Sequence, residues 1–142
     1  MKSGAIAGDL VAVQGIGALG HLGIQYAKKA GYKTVAISNG KDKEELARKL
    51  GADEYIDASI GKFHAAKTLN AMGGAKVILA TAPNAEAISS LIEGLGPDSK
   101  LIVLGLSFEP IQVGLSPNSL FAFCSAFAFL SRSYSSPPHT NE

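Results

Sequence analysis

A doubly wound parallel β-sheet of the α/β class is the fold this sequence predicts, on three observations. Apolar runs alternate with amphipathic stretches from Leu10 to about Val113, each pair separated by Gly, Pro, Asn or Asp. The first run, Leu10 to Gln14 (LVAVQ), is continuously apolar up to its last residue, as a strand covered on both sheet faces should be. It opens directly into GIGALG, Gly15 to Gly20, ahead of a helical pattern.

The elements follow in order. After the glycines, Leu19, Leu22, Tyr26, Ala27 and Ala30 recur at three- and four-residue spacing, which predicts a helix with those side chains inward and Gly31 as its stop. Lys33 to Ser38 (KTVAIS) is the second expected strand. Asp42 with Glu45 three residues on reads as a capping box, opening a helix that turns Leu46, Ala47 and Leu50 inward and closes at Gly51. Glu54 to Ile56 predicts a short third strand, Phe63 to Met72 a helix and Lys76 to Ala80 (KVILA) a fourth strand. Asn84 is placed to cap a helix carrying Ala85, Ile88, Leu91, Ile92 and Leu95. A Gly96-Pro97-Asp98 turn then leads to a fifth strand, Leu101 to Leu104, with Ile111 to Val113 as a candidate sixth at the sheet edge. Strands joined by helices in this order make a three-layer α/β/α sandwich, the Rossmann fold.

At 142 residues and 46% hydrophobic content the chain suits one core. Residues 1–118 are expected to form the Rossmann domain, and residues 119–142 a divergent segment. There FAFCSAFAFL alternates Phe with small residues and SRSYSSPPHTNE is a polar ending expected to be disordered. Phe121, Phe123, Phe127 and Phe129 share one parity, so in a strand they would line one face, either packed on the body or left as an edge where a homodimer could form.

A formal charge of +1 gives no general attraction to nucleic acid or anionic lipid. No apolar stretch approaches the roughly 20 residues that span a bilayer, Asp9 interrupts any early apolar run, and Cys124 is the single cysteine, so a cytoplasmic protein is expected.

A lone GxGxxG is weak evidence, but Gly15, Gly17 and Gly20 stand between an expected strand and an expected helix, which points to a dinucleotide site. Gly15 permits the tight turn, Gly17 lets the backbone approach the pyrophosphate, and Gly20 allows close packing. The N–H groups of the loop through Ile16, Ala18 and Leu19 then hold the anion, helped by the helix dipole. At the end of the second strand an acid would bind the ribose diol of NAD. This chain has Ser38, Asn39 and Gly40 there, followed by Lys41 and Lys43, which favours NADP over NAD. Both lysines also read as ordinary solvated charge. Thr81 and Ala82, and Gly105 and Leu106, follow the fourth and fifth strands and are candidates for the nicotinamide end, with plain turn chemistry as the equal alternative. His21 either bonds the cofactor or covers the helix end, whereas His64 and His139 carry no signal.

The blocks GDLVAVQGIGALGHLGIQYAKKAGYKTVAIS, KEELARKLGADEYID, GGAKVILATAPN and GPDSKLIVLG resemble the cofactor domain of zinc-type medium-chain alcohol dehydrogenases, over roughly residues 3–118. The resemblance implies hydride transfer between a nicotinamide cofactor and an alcohol or aldehyde. It places Gly15 to Leu19 on the pyrophosphate, Ser38 and its neighbours on the adenine ribose, and the Thr81 and Gly105 loops near the nicotinamide. It also implies that a separate catalytic domain supplies zinc ligands and substrate pocket, and no residue here matches those roles. One cysteine and three scattered histidines predict no metal site in this chain. Two alternatives stand beside this reading: a non-catalytic NADP-binding module or inactive fragment, and a zinc-independent quinone or enone reductase.

Overall fold

Val11 and Val13 pack on one side of their strand while Leu10 and Ala12 pack on the other, so an unbroken apolar run serves two separate cores. That strand is the centre of the computed structural model, which describes residues 6–104 and the strand Ser125–Ala128. The elements are β1 (Leu10–Gln14), α1 (Ala18–Lys29), β2 (Lys33–Ser38), α2 (Glu44–Leu50), β3 (Glu54–Asp57), α3 (His64–Ala71), β4 (Ala75–Ala80), α4 (Ala85–Leu91), β5 (Leu95–Val103) and β6 (Ser125–Ala128). The strands lie in the order β3-β2-β1-β4-β5-β6, and every neighbouring pair is parallel. The doubly wound Rossmann-type sheet is therefore present. Ile24 and Ala27 of α1 and Ala47 of α2 close the core on one face, and Leu69 of α3 with Ile88 and Leu91 of α4 close the other.

Four local expectations change. The inward stripe of α1 is Gly20, Ile24 and Ala27, while Leu19, Leu22, Tyr26 and Ala30 are exposed, Tyr26 by 69%. The close approach is at Gly20, where a Cβ would run into the Gly15 carbonyl, so the start of α1 turns a glycine to the sheet and Ile24 and Ala27 fill the core behind it, leaving the larger residues on the flank. The capping box of α2 does not form, since Lys43 occupies the N-cap without a side-chain bond. Glu44 and Glu45 favour the helix start through the dipole instead, and each pairs four residues on, with Arg48 at 3.3 Å and Lys49 at 2.9 Å. Leu46 is accordingly exposed, and Ala47 alone of the expected trio is fully buried.

The Gly96-Pro97-Asp98 turn lies inside β5 rather than before it. Ala75 pairs with Leu95 and Val77 with Lys100, so the turn survives as a bulge in which the Ser99 hydroxyl donates to the Gly96 carbonyl at 2.5 Å. The sixth strand is Ser125–Ala128, drawn from the Phe-rich segment, with Phe127 in register with Ile102. Ile111 to Val113, the candidate edge strand, and the polar ending lie outside the described residues.

The lower edge of the β2–β3 pair is tied by Asp53. Its carboxylate accepts from Lys28 Nζ at 2.7 Å and from the Thr34 amide at 2.9 Å, which hold its carboxyl below the ordinary range. A carboxyl depressed in the folded state stabilises fully above its unfolded value and loses that contribution as pH falls through the folded value. Asp53→Asn should therefore cost about 1 kcal/mol at pH 7, a modest figure because solvent screens the half-exposed Lys28 partner. Thermal melts should show the gap from wild type closing as the pH drops below about 4.

Candidate functional site

Strand β1 pairs with β2 on one side and β4 on the other, and the chain leaves β1 and β4 towards opposite faces, into α1 and α4. A crevice opens at such a divergence, beyond the carboxyl ends of the strands. Its floor is knitted together by Gln14. The Gln14 carbonyl accepts from the Thr81 amide at 2.9 Å and the Thr81 hydroxyl at 2.7 Å, and its buried side-chain oxygen accepts from the Ala82 amide at 3.1 Å.

The three glycines have separable jobs. Gly15 adopts φ +91°, and a Cβ there would meet the Thr81 hydroxyl at 2.7 Å and Ala82 Cβ at 2.9 Å. A Cβ on Gly20 would run into the Gly15 carbonyl. One on Gly17, whose φ is −101°, would meet nothing within 4 Å, so the space above it is open to a ligand. Ile16 is buried in the core and anchors the turn.

Helix α1 begins there with no side-chain cap and no acidic residue in its first turn. Its first amides are thus free of the local partners that serve α4, where Asn84 accepts from the Ala87 amide at 3.1 Å. His21 resolves towards the structural of its two roles: its amide and its Nδ1 both meet the Gly17 carbonyl, at 2.9 and 2.7 Å. A carbonyl only accepts, so Nδ1 is the donor in that bond.

A cleft of about 250 Å³ lies at the crevice, and Gly15, Ser38, Asn39 and Ala82 of the expected residues all line it. Gly17 and Ala18 are exposed at the helix opening beside it. Leu19, 49% exposed, turns its side chain instead into an apolar groove with Leu22, Tyr26 and Leu104. Lys41 and Lys43 are exposed at the entry to α2. Thr81 spends its hydroxyl on the β1 carbonyl rather than on open space. Gly105 and Leu106 lie outside the described residues.

Gly40 has φ +76° and is gripped from β3: its amide donates to Asp57 Oδ1 at 2.7 Å and its carbonyl accepts from the Tyr55 hydroxyl at 2.5 Å. Bonds from the Ser59 hydroxyl and amide, then from Gly40, hold the Asp57 carboxyl below its usual range, while burial pushes the Tyr55 phenol up. Sequence reasoning missed these two residues, and also Gln14 and Lys62, which line the cleft. Lys62 Nζ stands 3.6 Å from Glu86 and 5.6 Å from the Phe63 ring centroid. A polar residue ending an apolar strand was the available signal for Gln14. For Lys62 it was a position just past the third strand, at the carboxyl edge.

A family model for zinc-binding dehydrogenases matches residues 18–136. The chain belongs to that family. An Aspergillus alcohol dehydrogenase, notN, is 50% identical over 117 residues, covering 82% of this chain and 33% of the relative. The Penicillium expansum alcohol dehydrogenase patD is 52% identical over 99 residues, covering 70% of this chain and 28% of the relative. Among solved structures, a zinc-binding dehydrogenase of Sinorhizobium meliloti 1021 bound to NADP superposes with a TM-score of 0.71 at 26% identity, over 87% of this chain and 38% of that one. The alcohol dehydrogenase TADH of Thermus sp. ATN1 shares the fold, with a TM-score of 0.77 at 23% identity, over 89% and 38%. The chain spans about a third of the length of the curated relatives it matches.

The family name raises zinc, and the described residues do not fit one: among them no three His, Cys, Asp or Glu side chains converge. Among the same residues no helix is long and apolar enough to cross a membrane.

The glycine geometry predicts a split in stability. Gly20→Ala should lower the melting temperature sharply, because its Cβ meets backbone that cannot swing aside, whereas Gly17→Ala should melt within a degree or two of wild type. Equal melting of the two variants would contradict the turn described here.

Proposed function

We propose that this chain is the cofactor-binding half of an alcohol dehydrogenase-like oxidoreductase, holding NADP in preference to NAD. The observation that carries the reading is the β1–α1 turn, where an uncapped, acid-free helix start faces the open space above Gly17, beside a cleft lined by Ser38 and Asn39. The amides of Ala18, Leu19 and Gly20 would bind the pyrophosphate, and the helix dipole favours its charge. The cleft would take the adenosine end. At the end of β2 a hydroxyl and an amide stand where a carboxylate would repel a 2′-phosphate, with the Lys41 and Lys43 ammonium groups close in sequence. The NADP carried by the Sinorhizobium protein supports the same preference.

When bound, the cofactor supplies the hydride acceptor and donor. In this reading the chain positions it, and the alcohol or aldehyde, the proton relay and any metal are held by the part of the protein that the longer relatives possess beyond the matched third.

Calorimetric titration of the chain with NADPH and NADH tests the proposal. NADPH should bind more tightly, Gly17→Val should abolish binding of both by filling the space for the pyrophosphate, and Ser38→Asp should shift the preference towards NADH by about tenfold or more. Wild-type chain that binds neither cofactor would sink it.

A further inference from the structure

Cofactor choice in such a site is usually sought at the end of the second strand, and here the neighbouring strand reaches into the same place. Ser38 of β2 is in direct register with Asp57 of β3, about 4.8 Å away across the sheet. The Asp57 carboxylate is used asymmetrically. Oδ1 accepts all three of its hydrogen bonds, from the Gly40 amide at 2.7 Å, the Ser59 amide at 2.9 Å and the Ser59 hydroxyl at 2.5 Å. Oδ2 has no hydrogen bond among the described residues.

Asp57 therefore does two things that chemistry can separate. Through Oδ1 it anchors the backbone of the Ser38–Gly40 loop, a task shared with the Tyr55 hydroxyl on the Gly40 carbonyl. Through its charge it places a negative field beside Ser38, opposed by Lys41 and reinforced by Asp42 and Glu44 near Tyr55. A neutral ribose diol gains from the anchored loop and is indifferent to the field. A 2′-phosphate gains from the loop and is repelled by the carboxylate.

We propose that Asp57 is a positioning and specificity-determining residue of the cofactor site, fixing the ribose loop for either dinucleotide while its charge limits the preference for the phosphorylated one. This rests on the dinucleotide reading above. The acid that is missing from the end of β2 is in part replaced by one at the end of β3, acting through space rather than by contact with the diol.

Asp57→Asn separates the two roles, because an amide oxygen at the Oδ1 position keeps all three bonds while the NH2 group takes the place of the unbonded Oδ2. The full chain, titrated with NADPH and NADH, should bind NADPH about three- to tenfold more tightly in this variant, with NADH within about twofold of wild type. The gain should shrink as salt is raised from about 0.05 M to about 0.5 M, since it is a screened charge effect. Asp57→Ser retains a short acceptor and should move the ratio in the same direction if the asparagine variant folds poorly. Tyr55→Phe releases the loop without changing charge and should weaken both cofactors equally. An unchanged NADPH to NADH ratio in the charge-neutral variants, or a gain insensitive to salt, overturns the proposal while leaving the dinucleotide reading intact. A wild-type chain that binds neither cofactor overturns both.

Discussion

Between Gln14, the last residue of a strand buried on both faces, and Ala18, the first of a helix, only three residues are available to turn the chain. The helix must also lie close enough to the sheet that its own first turn touches the Gly15 carbonyl. That close approach is the constraint from which the rest follows. It requires a left-handed backbone at Gly15, forbids a side chain at Gly20, and brings β4 near enough for Thr81 to bond across to Gln14. Once β1, α1 and β4 are locked in this way, the loops at their carboxyl ends can only face one another across a crevice.

Much of this was legible because buried parallel strands leave a strong trace in sequence. The bounds of β1 and β2 matched their apolar runs, and Asn84 and Gly51 behaved as helix cap and stop, since these features depend on residues close to one another in the chain. What misled was size and context. Large apolar residues drew the inward face of α1 towards Leu19, Leu22 and Tyr26, although the helix meets the β1 turn at Gly20 and the core through Ile24 and Ala27. The turn residues Gly96 to Asp98 kept their local chemistry, yet pairing with β4 absorbed them into a bulged strand. At the site, the glycines and Ser38 could be read directly. Tyr55 and Asp57 could not, because they meet Gly40 across 15 and 17 residues of sequence, and nothing in the chain's local pattern states which strand end lies beside which.

The helix starts show how one kind of interaction is put to different uses. In α2 the dipole is met by Glu44 and Glu45, and in α4 an amide is met by Asn84, so both are satisfied within the fold. In α1 no such group is present, and His21 in its first turn bonds a carbonyl rather than an amide. Its last carbonyls are met instead, those of Tyr26, Ala27 and Lys28 accepting from the Ala30, Tyr32 and Gly31 amides, with Lys28 and Lys29 adding positive charge in the last turn. Unmet donors at one end and satisfied acceptors at the other leave α1 with a single direction in which it can attract an anion.

The polar groups around the crevice divide along the same line. Gln14, Thr81, Tyr55 and Asp57 spend hydrogen bonds on backbone, fixing the positions of the loops that carry Gly15, Ser38 and Gly40. A group held in that way shapes and charges a site but is poorly placed to exchange protons with a substrate, because doing so would release the loop it supports. On the proposed reading, the crevice serves to orient a dinucleotide, and the proton chemistry of an alcohol dehydrogenase-like reaction falls to groups outside these elements.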